Sequence, residues 1–245
     1  MKLLKETISV IMPAHNEGRS IFDNIKETVK TFEEFECDFE IIVVDDGSQD
    51  NTYSEILRAA AAFKNVYPAQ NKENYGKGRA LKKGFRYTKG ALVVFLDSDM
   101  DLHPTQLQTF IDIMRLDEAD VVIGSKRHPN SKLAYPWHRR IVSAVYFFFV
   151  KMLFGLPLKD TQTGLKLFKR EVLEKVFPKM LVKKFAYDLE LLILAHHFGY
   201  KIVEAPVIIK WQRSSWRVVG LGHVRDTWID TMAVWYRMFI LRYYG

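Results

Sequence analysis

Residues 91–101, ALVVFLDSDMD, hold the reading of the fold: an apolar run over 91–96 turns abruptly into Asp97, Ser98, Asp99, Met100 and Asp101. Apolar residues in sequence, without polar alternation, fit a short strand buried on both faces, as in a parallel sheet. Two earlier stretches repeat the pattern. Residues 8–12 form an apolar strand running into PAHNE at 13–17, and residues 40–44 lead into Asp45, Asp46, Gly47 and Ser48.

Helical spacing fills the intervals. Ile21, Ile25, Val29 and Phe32 recur at helical period, and Asp50 is placed to cap a helix through Ile56, Leu57 and Ala60. Residues 78–88 carry another short helical pattern, Pro104 opens a further helix, and 121–124 is one more strand. Strands alternating with helices predict an α/β fold, a mostly parallel sheet with helices on both faces. Such sheets bind ligands at the carboxyl ends of their strands.

The second half is less regular. It reads as an apolar, aromatic helix over 137–154, a polar loop KDTQTG, a helix over 185–198 with Asp188 and Glu190 near its start, and a strand over 203–211. A final helix places Trp228, Met232, Trp235 and Phe239 on one stripe. That stripe has two readings, packing on the domain or lying in the interfacial layer of a bilayer. No internal repeat or low-complexity segment appears.

Composition bounds the function. The 245 residues, 48% hydrophobic and 27% charged, suffice for a sizeable core. A single cysteine, Cys37, excludes a disulfide framework and any multi-cysteine metal site. The net charge of +7 points to an anionic partner. Basic residues do not gather in one tail, so no nucleic-acid arm is expected. The opening residues MKLLKETISVIMP are too broken by charge for a secretory signal. No stretch reaches the roughly 20 apolar residues of a spanning helix; Lys151 interrupts the nearest candidate, 141–156. The expectation is a chain that lies on a membrane without crossing it.

One acidic strand end can simply cap the next helix. Three at the same edge of a sheet crowd negative charge where ligands bind, and such crowding is costly without compensation. A divalent cation relieves it. Asp99 and Asp101 are hard oxygen ligands suited to Mg²⁺ or Mn²⁺, with phosphate oxygens and water completing the shell. Asp97 then orients its neighbours or contacts a donor, while His15 and His103 read as polar surface. Residues 74–78, NYGKG, precede a helix: the glycines admit close approach of a ligand and Lys77 adds a positive charge. The spacing is neither a P-loop nor a dinucleotide fingerprint.

The segments PAHNE, VVDDGSQDNT, NYGKGRAL and DSDMD, in this order, resemble the nucleotide-sugar half of family 2 glycosyltransferases, which have the GT-A fold. VIGSKR, DTQTGLKLFKR, FAYDLELL and IVEAPVIIKW extend the resemblance to the branch that makes dolichyl- or polyprenyl-phosphate sugars, with DTQTGLKLF nearest to the dolichyl-phosphate glucose synthases. It covers roughly residues 7–215. The implied organisation is a GT-A domain over 1–215, with a nucleotide-sugar half to about 125 and an acceptor half over 126–215, followed by a C-terminal amphipathic helix over 216–245.

Residue by residue, the resemblance implies that Pro13, Ala14, Glu17 and Asp46 hold the nucleoside, with Lys77, Asp97 and Ser98 near the donor phosphates and sugar. Asp99 is the metal-binding residue, and Asp101 is a second contact to it. Lys126, Lys159 and Thr163 match positions facing the acceptor phosphate, with Arg127, Arg139 and Arg213 as further cations. Lysines at 126 and 159 stand where the family often has arginine. They keep the charge and lose the bidentate fork.

The implied reaction is an inverting transfer of a hexose from a nucleotide-sugar, UDP-glucose ahead of GDP-mannose, to polyprenyl phosphate at the cytoplasmic face of a membrane. No obligate protein partner is evident. An ionised lipid phosphate needs positioning rather than a base, so Asp160 and Asp188 would shape the acceptor pocket. The competing reading keeps fold and donor but takes a glycan or polysaccharide hydroxyl as acceptor, with Asp188 as its base. A nucleotidyltransferase lacks support, because the glycine- and arginine-rich first loop expected there is absent. A non-enzymatic basic module leaves the three acidic strand ends unexplained.

Overall fold

The computed structural model describes residues 6–132, 147–182, 186–209 and 221–245, with side chains of the last stretch described from 227 onward. Seven strands form one sheet in the order β3-β2-β1-β4-β6-β5-β7. They are β1 (Ile8–Ala14), β2 (Phe39–Asp46), β3 (Val66–Asn71), β4 (Leu92–Phe95), β5 (Val121–Ser125), β6 (Lys166–Lys169) and β7 (Ile202–Pro206). All pairings are parallel except those of β6, which runs antiparallel to both β4 and β5. The predicted α/β class, with a mostly parallel sheet, is what forms.

The sheet is covered on both faces, and side-chain alternation divides its residues between them. Val10 and Met12 of β1, with Ile41 and Val43 of β2, face α1 (Ile21–Glu34), α2 (Thr52–Ala62) and, farther along the sheet, α4 (Leu107–Leu116). Ile11, Ile42 and Val44 point the other way, into a core shared with α3 (Lys77–Phe85), α6 (Arg170–Val176) and α7 (Tyr187–His197). The helix over 147–154, α5, adds Val150 to this second core.

Three elements escape a reading by pattern, each for a physical reason. β3 contains Pro68, which argues against a strand; as an outermost strand it has a free edge that tolerates the missing N–H. β6 is four residues long and α6 seven, too short for a period to show. The capping expectation shifts by one residue. Asp50 lies one position before the N-cap Asn51 and accepts from the Thr52 and Gly18 N–H groups. The predicted strand over 203–211 stops at Pro206, after which Ile208 bridges to Lys132. The first part of the helix expected over 137–154, like residues 210–211, lies outside the described residues.

α7 is buried from Tyr187 to Ala195 on every side, including Asp188 and Glu190. A helix apolar all round needs a cover on its outer face, and the C-terminal segment supplies it. α8 (Leu221–Trp235) continues into a π-helical turn (Tyr236–Ile240), and Thr231, Val234 and Tyr244 are buried. The predicted stripe of Trp228, Met232, Trp235 and Phe239 therefore splits: Met232 and Phe239 are exposed. The buried Thr231 and Val234 each sit one position before Met232 and Trp235, so the packed face of the helix is turned about a quarter turn from the stripe.

Glu190 fastens this cover. Its Oε2 accepts from the Leu181 and Val182 N–H groups at 3.0 and 2.7 Å, and its Oε1 accepts from Tyr244 Oη at 2.5 Å. Arg237 pairs with the same oxygen at 3.5 Å, and Lys179 donates to the Tyr244 carbonyl. Tyr244→Phe removes one donor to a buried carboxylate and should cost about 1–3 kcal/mol in urea unfolding. An unchanged midpoint would mean that the tail is not held through Glu190.

Candidate active site

β2, β1 and β4 are adjacent and parallel, with Ala14 level with Asp45 and Ile11 level with Phe95. The three acidic strand ends therefore meet at one edge. The loops there are stitched together: His15 Nδ1 lies 3.0 Å from the Asp46 carbonyl, Asn16 N–H donates to Ser48 Oγ, and Glu17 N–H donates to Thr52 Oγ1. Pro13 and Ala14 end β1 beside Val44 and Asp45.

Asp46 organises the glycine loop. Its Oδ1 accepts from Asn71 Nδ2 at 2.7 Å and Tyr75 N–H at 3.2 Å, and its Oδ2 accepts from Gly76 N–H at 2.8 Å. Gly76, at φ 93°, turns the chain into α3, whose first residue is Lys77. The Lys77 ammonium then reaches the Asp97 carboxylate across the site. Burial alone would raise the Asp97 pKa, but Lys77 foremost, with Lys166 and Lys126, outweighs it and holds the group ionised. Gly164 packs close to the same carboxylate: a Cβ there would stand 2.0 Å from Asp97 Oδ2, so a side chain at 164 would displace the carboxylate from its place beside Lys77.

The turn after Asp97 is strained. Met100 adopts φ 60°, a left-handed conformation that a bulky residue rarely takes. Its side chain is buried against Thr28, and Asn24 Nδ2 donates to the Ser98 carbonyl at 2.7 Å. The strain is thus held by α1, and it sets Asp99 and Asp101 close enough for the Asp101 N–H to donate to Asp99 Oδ1 at 3.1 Å. Burial first, then the Asp97 and Asp101 charges, push the Asp99 pKa up to about 6. A divalent cation fits this crowding. Among the described residues no group of three or more His, Cys, Asp or Glu converges to hold a metal ion by itself. Two carboxylates leave most coordination positions to phosphate oxygens and water, the usual arrangement for Mg²⁺ with a phosphate substrate.

The acceptor-side loop is built from hydrogen bonds. Asp160 Oδ2 accepts from Lys126 N–H and Thr163 Oγ1, its Oδ1 from Gln162 N–H, and Glu204 Oε1 receives the Lys159 and Asp160 N–H groups. Asp160 is thus a loop organiser. The Lys159 side chain is exposed, and Arg127 lies over the Phe147 ring at 5.1 Å. Arg139 and Arg213 lie outside the described residues. Of the two histidines, His103 caps the short turn Pro104–Gln106.

Lys166 is the residue that sequence reasoning passes over. It is fully buried on β6 and donates to Asp188 Oδ1 at 2.6 Å and to the Thr163 carbonyl at 2.5 Å. Its signal is a lysine at an inward position of the apolar run Leu165-Lys166-Leu167-Phe168. Burial foremost, with the Lys77 charge, pulls its pKa below the usual lysine range against the opposing pull of Asp188. Beside it, Tyr187 is buried next to Asp188, where burial foremost and then the Asp188 charge push its pKa up, and Lys77 sits 5.9 Å from its ring centre.

Sheet order, helices on both faces and an acidic carboxyl edge define a GT-A-like protein with a site suited to a diphosphate. The chain belongs to glycosyl transferase family 2, whose sequence model matches residues 9–177. Among curated relatives, the glycosyltransferase AglD of Haloferax volcanii is 31% identical over 202 residues, 82% of this chain and 32% of the relative. The dolichyl-phosphate beta-glucosyltransferase ALG5A of Trichomonas vaginalis is 32% identical over 209 residues, covering 82% of this chain and 64% of the relative. The chain thus spans about a third of the first and under two thirds of the second. Among solved structures, mannosyl-3-phosphoglycerate synthase from Rubrobacter xylanophilus superposes with a TM-score of 0.71 at 16% identity, over 95% of this chain and 74% of that one. Glucosyl-3-phosphoglycerate synthase from Mycobacterium tuberculosis, solved with Mn²⁺, UDP-glucose and phosphoglyceric acid, gives 0.68 at 20% identity, over 95% and 79%.

The raised Asp99 pKa makes a signed prediction. A carboxyl whose folded pKa lies above its unfolded 3.8 favours the fold below about pH 4 and loses that advantage as pH rises to about 6. In EDTA, Asp99→Asn should therefore raise the melting temperature at pH 7 and leave it nearly unchanged at pH 4. Equal effects at both values would place the charge crowding elsewhere.

Proposed function

We infer that this chain transfers a hexose, glucose from UDP-glucose ahead of mannose from GDP-mannose, to a polyprenyl phosphate at a membrane surface. The curated relatives support the acceptor class, since their names describe dolichyl-phosphate glucosyltransferases. The solved neighbour that holds Mn²⁺ and UDP-glucose supports the donor and the metal.

The observation that carries the acceptor reading is the Lys166–Asp188 pair. A hydroxyl acceptor must lose a proton as it attacks, and Asp188 is the carboxylate that the competing reading needs as base. That carboxylate is buried and bound to an ammonium at 2.6 Å. A phosphate acceptor is already ionised at neutral pH and requires no base.

In this mechanism Pro13, Ala14 and Glu17 flank the nucleoside, and Asp46 holds the loop that delivers Lys77. Lys77 and Ser98 line the donor side of Asp97, whose fixed carboxylate orients the sugar. Asp99 and Asp101 would hold Mg²⁺ or Mn²⁺, which would stabilise charge on the departing diphosphate. Lys126, Arg127, Lys159 and Thr163, with Arg139 and Arg213 as further cations, steer the acceptor phosphate. An acceptor oxygen forms a bond to the anomeric carbon as the bond to the nucleoside diphosphate breaks, which inverts that centre. No proton changes hands. The reading puts the reaction on the cytoplasmic face of that membrane.

A panel of UDP- and GDP-sugars assayed with a polyprenyl phosphate and Mn²⁺ tests the reading. Transfer from UDP-glucose that stops in EDTA is the expected result. Transfer to a glycan hydroxyl and none to the lipid phosphate would overturn it.

A further inference from the structure

Lys166 stands among apolar neighbours. On β6 it is level with Phe95 of β4 and Ile123 of β5, and it points to the face where they and Phe168 pack. An apolar side chain of similar size would fill this place without desolvating a charge, and a buried ion pair often gives no net stability over such a residue. The lysine is better explained by what its ammonium holds. It donates to Asp188 Oδ1 at 2.6 Å and to the Thr163 carbonyl at 2.5 Å, and so ties the first turn of α7 to the loop before β6. The residue that follows Thr163 is Gly164, the one that packs close to the Asp97 carboxylate.

Two ion pairs therefore neighbour one another with different exposure. The side chains of Lys77 and Asp97 are 32% and 33% exposed, whereas those of Lys166 and Asp188 are 1% and 8% exposed. The open pair can exchange partners with a ligand, and the closed pair cannot. We propose that Lys166 is a positioning residue for the reaction: by fastening the Thr163–Gly164 peptide to Asp188 it fixes the backbone on which Asp97 is set, and keeps Asp97 aligned on the donor sugar when a diphosphate draws Lys77 away. This deepens the proposed function and rests on its assignment of Asp97 to the sugar. The same peptide carries the acceptor side with it, because Thr163 Oγ1 donates to Asp160, whose carboxylate also receives the Lys126 N–H. Lys166 thus acts through its neighbours and touches no substrate itself. A shift of about 1 Å at a reacting group can lower turnover about 100-fold, so a fixed backbone here matters to the rate.

Steady-state transfer from UDP-glucose to a polyprenyl phosphate, alongside calorimetry of UDP binding in Mn²⁺, tests the role. Lys166→Met with Asp188→Leu removes both charges together and should melt near the wild type, whereas Lys166→Met alone leaves Asp188 buried without its cation and should melt lower. The double variant should lose about tenfold or more in kcat and keep its UDP affinity within about twofold. Lys166→Gln, one atom shorter and uncharged, still offers a donor to the Thr163 carbonyl. Should the double variant melt early, Lys166→Gln replaces it in the comparison, with a smaller loss of kcat expected at the same UDP affinity. Gly164→Ala displaces Asp97 directly, so its loss and that of the double variant should not multiply when the changes are combined. Wild-type kcat in either folded variant overturns the proposal and leaves the function standing, as do losses that multiply or a parallel fall in UDP affinity. A wild type that uses a glycan hydroxyl and no polyprenyl phosphate removes the acceptor reading instead, and the same variants assayed on that acceptor then decide the role of Lys166.

Discussion

Asp97 is held between two neighbours that come from distant parts of the chain. The Lys77 ammonium binds it from the start of α3, and the Gly164 backbone presses on it from the loop before β6. That contact joins the donor side of the site to the acceptor side. Lys77 depends on the turn at Gly76, which depends on Asp46 at the end of β2. Gly164 lies between Thr163, bound to Asp160, and Lys166, bound to Asp188. A carboxylate this enclosed stays ionised because cations stand around it, while Asp99 two residues on is pushed towards its neutral form by burial first and then by the Asp97 and Asp101 charges. The edge of the sheet therefore carries crowded negative charge that a bound cation and its phosphate ligand would relieve together.

α7 links this centre to the tail. Asp188 faces the site through Lys166, and Glu190, two residues later, faces Tyr244 and Arg237. Both carboxylates are buried and both have charged or polar partners, as buried ions require. The helix can be apolar on its remaining surface because α3 and α6 pack on one side and the C-terminal helix on the other. The tail is thus part of the second core along one face and open along the other.

The parallel half of the fold was legible because double burial makes β4 wholly apolar and β1 and β2 largely so, and places their polar ends at one edge. The meeting of Asp46, Asp97, Asp99 and Asp101 came with that arrangement. β3 was hidden by Pro68, and β6 by its brevity and its two lysines. Lys166 could not be assigned from sequence, since a lysine in a strand is ordinarily solvated and only the fold reveals that Asp188 waits beneath it. In the tail the four stripe residues share a side of the helix as read, but the packed face follows Thr231 and Val234 instead, and only the fold shows which side meets α7.

Binding of Mn²⁺ by calorimetry, with and without UDP, tests the central claim that carboxylate crowding at this edge is resolved by a cation and a diphosphate acting together. The account predicts weak Mn²⁺ binding to the protein alone, much tighter binding with UDP present, and the loss of that gain in Asp101→Asn. Mn²⁺ binding of equal strength with and without UDP, or a gain untouched by Asp101→Asn, would contradict it.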